Sequence, residues 1–179
     1  DEANISRAVE LLRAGEVVAF PTETVYGLGA DAANADAVAK IYALKGRPSA
    51  HPVIVHVADA ERLDEWAVDV PDGARKLAHY VEREVTRLLA ARSGPIAVPI
   101  EPVTPDANVV PGQPVAQALL AAFGGEHGRR RFGGVAAPSA NKFGRVSPTL
   151  AEHVFADFAL AVPLILDGGA TNVGIESTI

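Results

Sequence analysis

This chain of 179 residues has no cysteine and no methionine, and only four of its residues are lysine. Without cysteine there is no disulfide framework and no cysteine-based zinc site. The five histidines, at 51, 56, 79, 127 and 153, show no metal-ligand spacing such as H-x-x-x-H. A nucleophile–base pair is also missing, since no serine has an obvious histidine and acid to activate it. The pattern G-x-x-x-x-G-K-[ST] is absent, so any nucleotide binding is not of the P-loop kind. There is no excess of basic charge: the formal net charge is −6, which argues against wholesale electrostatic capture of nucleic acid but leaves room for a local basic pocket. No apolar run reaches membrane-spanning length and the N-terminus has no signal-peptide pattern, so the expected location is the cytoplasm.

What is present suits a globular enzyme or binding domain. Hydrophobic residues make up 49% and charged residues 21%, and the length suits one domain with a proper core. The sequence does not begin with methionine and stops at "GIESTI", which reads as a strand cut short. The expectation is one domain over residues 1–179, truncated at its C-terminus.

Helical and strand patterns alternate. "ISRAVELLRAG" has helical spacing closed by Gly15, and "NADAVAKIYALKG" is a helix capped by Asn34 or Asp36 and stopped by Gly46 and Pro48. A long amphipathic helix is expected over 72–92 and another over 114–125, with Ser147 capping a helix that has Pro148 in its first turn. "VVAF", "PVIVHVA", "PIAVPI", "VAAPSAN" and "PLILDGG" read as strands. This alternation predicts an α/β domain with a largely covered sheet, and ligands at the loops beyond its strand ends.

Four loops carry unusual polar content. They are "PTETVYGLG" (21–29), "ALKGRPSAHPVIVH" (43–56), "APSANKFGRVSPT" (137–149) and "DGGATNVGIEST" (167–178). Lys45, Arg47, Lys142 and Arg145 fall within them and suit phosphate or carboxylate groups. Each feature also has an ordinary structural explanation. Lys45 ends a helix, where the dipole favours a cation. Ser147 reads first as a helix cap, and Gly27 and Gly29 as turn glycines. Arg129 to Arg131 read as a solvated run.

Taken together and in order, "PTETVYGLGADA", "KGRP" followed by "HPVIVHV", "APSAN…SPT" and "DGG…VGIEST" closely resemble the YrdC-like family of threonylcarbamoyl-AMP synthases. That resemblance implies an α/β fold in which a twisted open mixed sheet and its flanking helices surround a positively charged cavity. It implies a nucleotidyltransferase that makes threonylcarbamoyl-adenylate and pyrophosphate from L-threonine, bicarbonate and ATP, for threonylcarbamoyladenosine modification of tRNA. By similarity, Lys45 and Arg47 hold the triphosphate or carbamate and are the catalytic pair. Thr24, His56, Ser139 and Ser177 form the threonine and bicarbonate site, while His51, Asn141, Ser147 and Thr149 join Lys45 and Arg47 at ATP. Mg²⁺ is expected with the ATP phosphates rather than on protein ligands. The expected partners are tRNA-modifying proteins that receive the adenylate, with at most weak direct tRNA binding.

One region departs from the family pattern. Residues 81–114 lack the tryptophan-proline-glycine-proline-leucine-threonine stretch and the threonine-valine-alanine-valine-arginine strand of its members. The competing readings are a binding domain without synthase activity, a carbamoyl-adenylate-forming domain and an RNA-binding module.

Overall fold

The computed structural model describes residues 1–48, 53–66, 108–109, 112–125 and 133–174. The helix expected over 72–92, the strand "PIAVPI" and most of the departing stretch lie outside them.

Helix α1 (Glu2–Arg13) is capped by the Asp1 carboxylate, which accepts from Ala3 N. The hairpin strands β1 (Val18–Pro21) and β2 (Tyr26–Asp31) follow. Helix α2 (Ala35–Lys45) starts at Asn34, whose Oδ1 accepts from Asp36 N and Ala37 N, and ends at Gly46 with φ +63°. Both of its predicted caps are therefore as read. Strand β3 (Val55–His56) leads through a 3₁₀ turn into the short helix α3 (Leu63–Trp66). Then come β4 (Asn108–Val109), α4 (Pro114–Gly124), β5 (Val135–Ala136) and α5 (Ala151–Phe158).

The sheet order is β1-β2-β5-β3-β4. Its first three pairings are antiparallel and β3–β4 is parallel, so the expected mixed sheet is present. The "PLILDGG" segment lies along β1: Ala19 N donates to Leu164 O and Leu166 N donates to Ala19 O.

Strand alternation sends side chains to two faces. On one face Ala19, Tyr26, Leu28, Ala30, Val55 and Ala136 pack with Val38 and Ile41 of α2 and Val154 and Phe158 of α5. On the other, Val18, Phe20, Val135 and Ala137 meet Ala8, Val9 and Leu12 of α1 and Leu119, Leu120 and Phe123 of α4. Burying such aliphatic and aromatic side chains contributes about 1.5–3 kcal/mol each. Among the described residues, no helix is long and apolar enough to cross a membrane.

Two expectations need correction. Gly27 and Gly29 are inside β2, not in a turn. A Cβ on Gly29 would sit 2.7 Å from the Phe20 ring and 2.8 Å from Val135, so its glycine makes room for the opposite face of the sheet. Ser147 and Pro148 do not start α5. Tyr26 N donates to Pro148 O at 2.8 Å, which draws that segment along β2, and the helix begins after Leu150 without a side-chain cap.

Candidate functional site

The tip of the β1–β2 hairpin is closed by a threonine. Thr22 Oγ1 donates to Val25 O at 2.6 Å and accepts from Val25 N at 3.2 Å, and it lies 3.1 Å from Thr24 Oγ1. Both threonines are buried, and their hydroxyls stiffen a turn that holds no glycine.

The 137–149 segment runs beside this hairpin. Leu28 N donates to Pro138 O and Ala140 N donates to Tyr26 O, placing Ser139 opposite Gly27. Lys45 joins the segment from the other side. Its side chain is buried at 4% exposure, and its ammonium donates to Ser139 O, to Asn141 O at 2.6 Å and, at 3.5 Å, toward Asn141 Oδ1. Phe143 N donates back to Lys45 O at 2.8 Å. The Asn141 amide group donates to Arg145 O at 2.6 Å and Lys142 O at 3.2 Å, so the loop folds around this one buried amide. Lys45, Ser139 and Asn141, predicted from two separate loops, are thus brought together. Arg47 is two residues further along, half-buried.

His56 is on the α1/α4 face of the sheet, edge-on to Phe20 at 6.0 Å between ring centroids. Its Nε2 is 3.2 Å from Ala137 O. A carbonyl can only accept, so the proton is on Nε2 and Nδ1 keeps a lone pair. That Nδ1 is buried with no hydrogen-bond partner among the described residues. Burial holds the imidazole well below its ordinary value, at about 4, against the opposing pull of the Ala137 carbonyl.

The fourth loop reaches the hairpin as well. Val173 N donates to Glu23 O at 3.2 Å, Gly174 N to Thr24 O at 2.9 Å and Thr171 N to Thr149 O at 3.0 Å. Ser177 and His51 lie outside the described residues, but Gly174 brings the chain to Thr24 three positions before Ser177. Ser147 and Thr149 are half-buried in the third loop, with Thr149 Oγ1 3.5 Å from His153 Nδ1. A hollow of about 420 Å³ opens between the hairpin tip, the 168–173 loop and the start of α4, lined by Thr22, Glu23, Gln113, Gly168, Thr171 and Asn172. A larger one of about 520 Å³ lies between α1 and α4, and neither hollow is lined by any of the predicted site residues.

Reading loops by their polar content missed Tyr26. Its phenol donates to Gly169 O at 2.7 Å, accepts from Gly168 N at 3.3 Å and stands 3.3 Å from Asp167 Oδ1. Burial pushes the phenol above its ordinary value; the Gly168 N–H opposes this and the Asp167 carboxylate adds to it. The available signal was the alternation Tyr26, Leu28, Ala30, which puts Tyr26 on a strand.

A family profile described as "Telomere recombination" (Sua5, YciO and YrdC) matches residues 10–179. The chain belongs to the Sua5/YciO/YrdC family. A threonylcarbamoyl-AMP synthase of Bacillus subtilis is 43% identical over 184 aligned positions, covering all of this chain and 50% of that relative. The Pyrococcus abyssi synthase is 39% identical, covering all of this chain and 51% of its own length. This family member therefore spans about half the length of the curated relatives it matches. The solved structure of Pyrococcus abyssi Sua5 complexed with L-threonine superposes with a TM-score of 0.84 at 37% identity, over 99% of this chain and 50% of that one. The α/β fold expected of a Sua5/YciO/YrdC member is the fold seen.

Proposed function

We propose that this domain carries the site of a threonylcarbamoyl-AMP synthase. Threonine nitrogen and bicarbonate condense to a carbamate with loss of water. A carbamate oxygen then attacks the α-phosphorus of ATP, and pyrophosphate leaves. Two anions have to meet, so positive charge in a partly dry cavity is the main requirement. The observation that carries this reading is the Lys45 clamp. It joins the "KGR" segment to the "S-A-N" segment in a chain 43% identical to half of a named synthase.

In this reading Lys45 supplies charge beneath Ser139 and Asn141, and Arg47, with its rigid fork of donors, takes the triphosphate or carbamate. Thr24, His56, Ser139 and Ser177 form the threonine and bicarbonate end. The bare Nδ1 of His56 suits a donor, which the ammonium or hydroxyl of threonine would supply. Asn141, Ser147, Thr149 and His51 are assigned to the nucleotide end. Among the described residues, no three His, Asp or Glu side chains are grouped to hold a metal ion. In this reading Mg²⁺ enters with ATP, held by phosphate and water. The adenylate then passes to tRNA-modifying proteins in the cytoplasm.

The test is ATP-dependent pyrophosphate release by the full-length protein with bicarbonate and Mg²⁺. L-threonine is compared with L-serine and with no amino acid. Threonine-dependent release, lost in the Lys45→Ala, Arg47→Ala double variant, supports the reading. Tight ATP and threonine binding without release would leave a binding domain instead.

A further inference from the structure

The four loops are not held to one another equally, and Tyr26 has the widest reach. It belongs to the first loop by sequence. Its backbone carbonyl accepts from Ala140 N at 2.7 Å, and its backbone N–H donates to Pro148 O at 2.8 Å. Those two bonds seat both ends of the third loop. Its hydroxyl crosses 143 positions of sequence to Gly169 O and also takes the Gly168 N–H. One fully buried residue therefore ties its own loop to two of the other three.

The turn held by that hydroxyl is built to be held. Asp167 Oδ1 accepts from Gly169 N at 2.9 Å. Gly169 has φ +81°, a conformation that favours glycine. A Cβ on Gly168 would lie 2.7 Å from Pro21 and 2.8 Å from the Gln113 amide nitrogen. Beyond this turn the chain lines the 420 Å³ hollow through Thr171 and Asn172, and Gly174 N then bonds Thr24 O. The Tyr26 hydroxyl is the side-chain contact that fixes where this run begins, and main-chain bonds to Glu23, Thr24 and Thr149 fix where it goes.

We infer that Tyr26 is a positioning residue: its hydroxyl sets the 167–174 loop against Thr24 and so shapes the amino-acid end of the site, without touching substrate itself. This inference rests on the synthase reading for its kinetic consequence, and on geometry alone for the loop contact. The hydroxyl acts mainly on the amino-acid end, because the bonds from Lys45 to Asn141 do not pass through it and the run meets Thr149 only through the Thr171 main chain.

Tyr26→Phe removes the hydroxyl and keeps the ring. In the full-length protein, KM for L-threonine should rise about tenfold, the effect of one lost hydrogen bond. KM for ATP and kcat should stay within about twofold, since Lys45 and Asn141 are untouched. Hydrogen exchange should quicken at the amides of Gly168, Gly169 and Gly174, which lie in or beyond the turn the hydroxyl holds, but not at Leu28 and Ala140, whose bonds join the hairpin to the third loop. Equal changes in both KM values, or a fall in kcat with threonine KM unmoved, would overturn the inference. So would unchanged exchange at those three glycines. If the wild-type protein releases no pyrophosphate with threonine, the synthase reading fails on its own, and the exchange experiment still decides whether Tyr26 holds the loop.

Discussion

Lys45 and Arg62 are both buried basic side chains, 4% and 7% exposed, yet the partners that hold them differ in kind. Arg62 donates to Gly124 O at the C-terminal end of α4 at 3.1 Å and pairs with the carboxylates of Glu65 at 3.4 Å and Asp59 at 3.9 Å. It neutralises acids and completes a helix end, where a cation is favoured. The contacts described for Lys45 are oxygens of the 139–141 loop, two of them backbone carbonyls. Its ammonium shapes a loop that carries the Ser139 hydroxyl and is folded around the Asn141 amide. Burial alone does not distinguish a scaffold cation from a site cation; the identity of the group it organises does.

Replacing each cation by an isosteric apolar side chain should pull this contrast apart. Lys45→Met is expected to lower pyrophosphate release per folded molecule by about 100-fold to 1000-fold, the scale of losing one fixed charge-stabilising donor. A loss under tenfold would make Lys45 a second Arg62. His56 tests the same contrast through pH. Its imidazole is held at about 4 in the folded protein against about 6.5 when unfolded. The unfolded chain therefore binds the proton first, and stability present above pH 6.5 drains away as pH falls toward 4. The loss is on the order of 3 kcal/mol, and a His56→Gln variant should show a correspondingly flatter urea midpoint between those pH values. The smallest effect is expected at the scaffold position. Arg62→Met should cost about 2 kcal/mol of stability, because Asp59 and Glu65 keep some access to water. Activity per folded molecule should change less than twofold, measured in the same assay as Lys45→Met.

Among the described residues, the three long helices were legible because each follows the 3.6-residue period and ends on recognisable chemistry, with Asn34 and Gly46 the clearest case. Strand β2 was hidden. "YGLGAD" carries two glycines, which read as turn residues until Phe20 and Val135 are seen filling the space above Gly29. The start of α5 was misread because Ser147-Pro148 is a sound local cap, overridden by the bond from Tyr26 N, 122 positions earlier in the chain. Lys45, Ser139 and Asn141 could be named from motifs, but the way they meet could not. Their contacts run largely through backbone carbonyls, which leave no mark in the identity of the residues that bear them.

Bonds between distant segments also dictate when the site can exist. Tyr26 and Gly169 are separated by 143 positions, and Lys45 and Ser139 by 94. Contacts that close such wide loops form late, after local helices have paid nothing toward them. During synthesis, α1, the hairpin and α2 can assemble while the chain is still growing. The wall that Gly169 and Gly174 provide arrives only once the chain has been made as far as residue 174, so a ribosome-bound chain has α1, the hairpin and α2 before it has that wall.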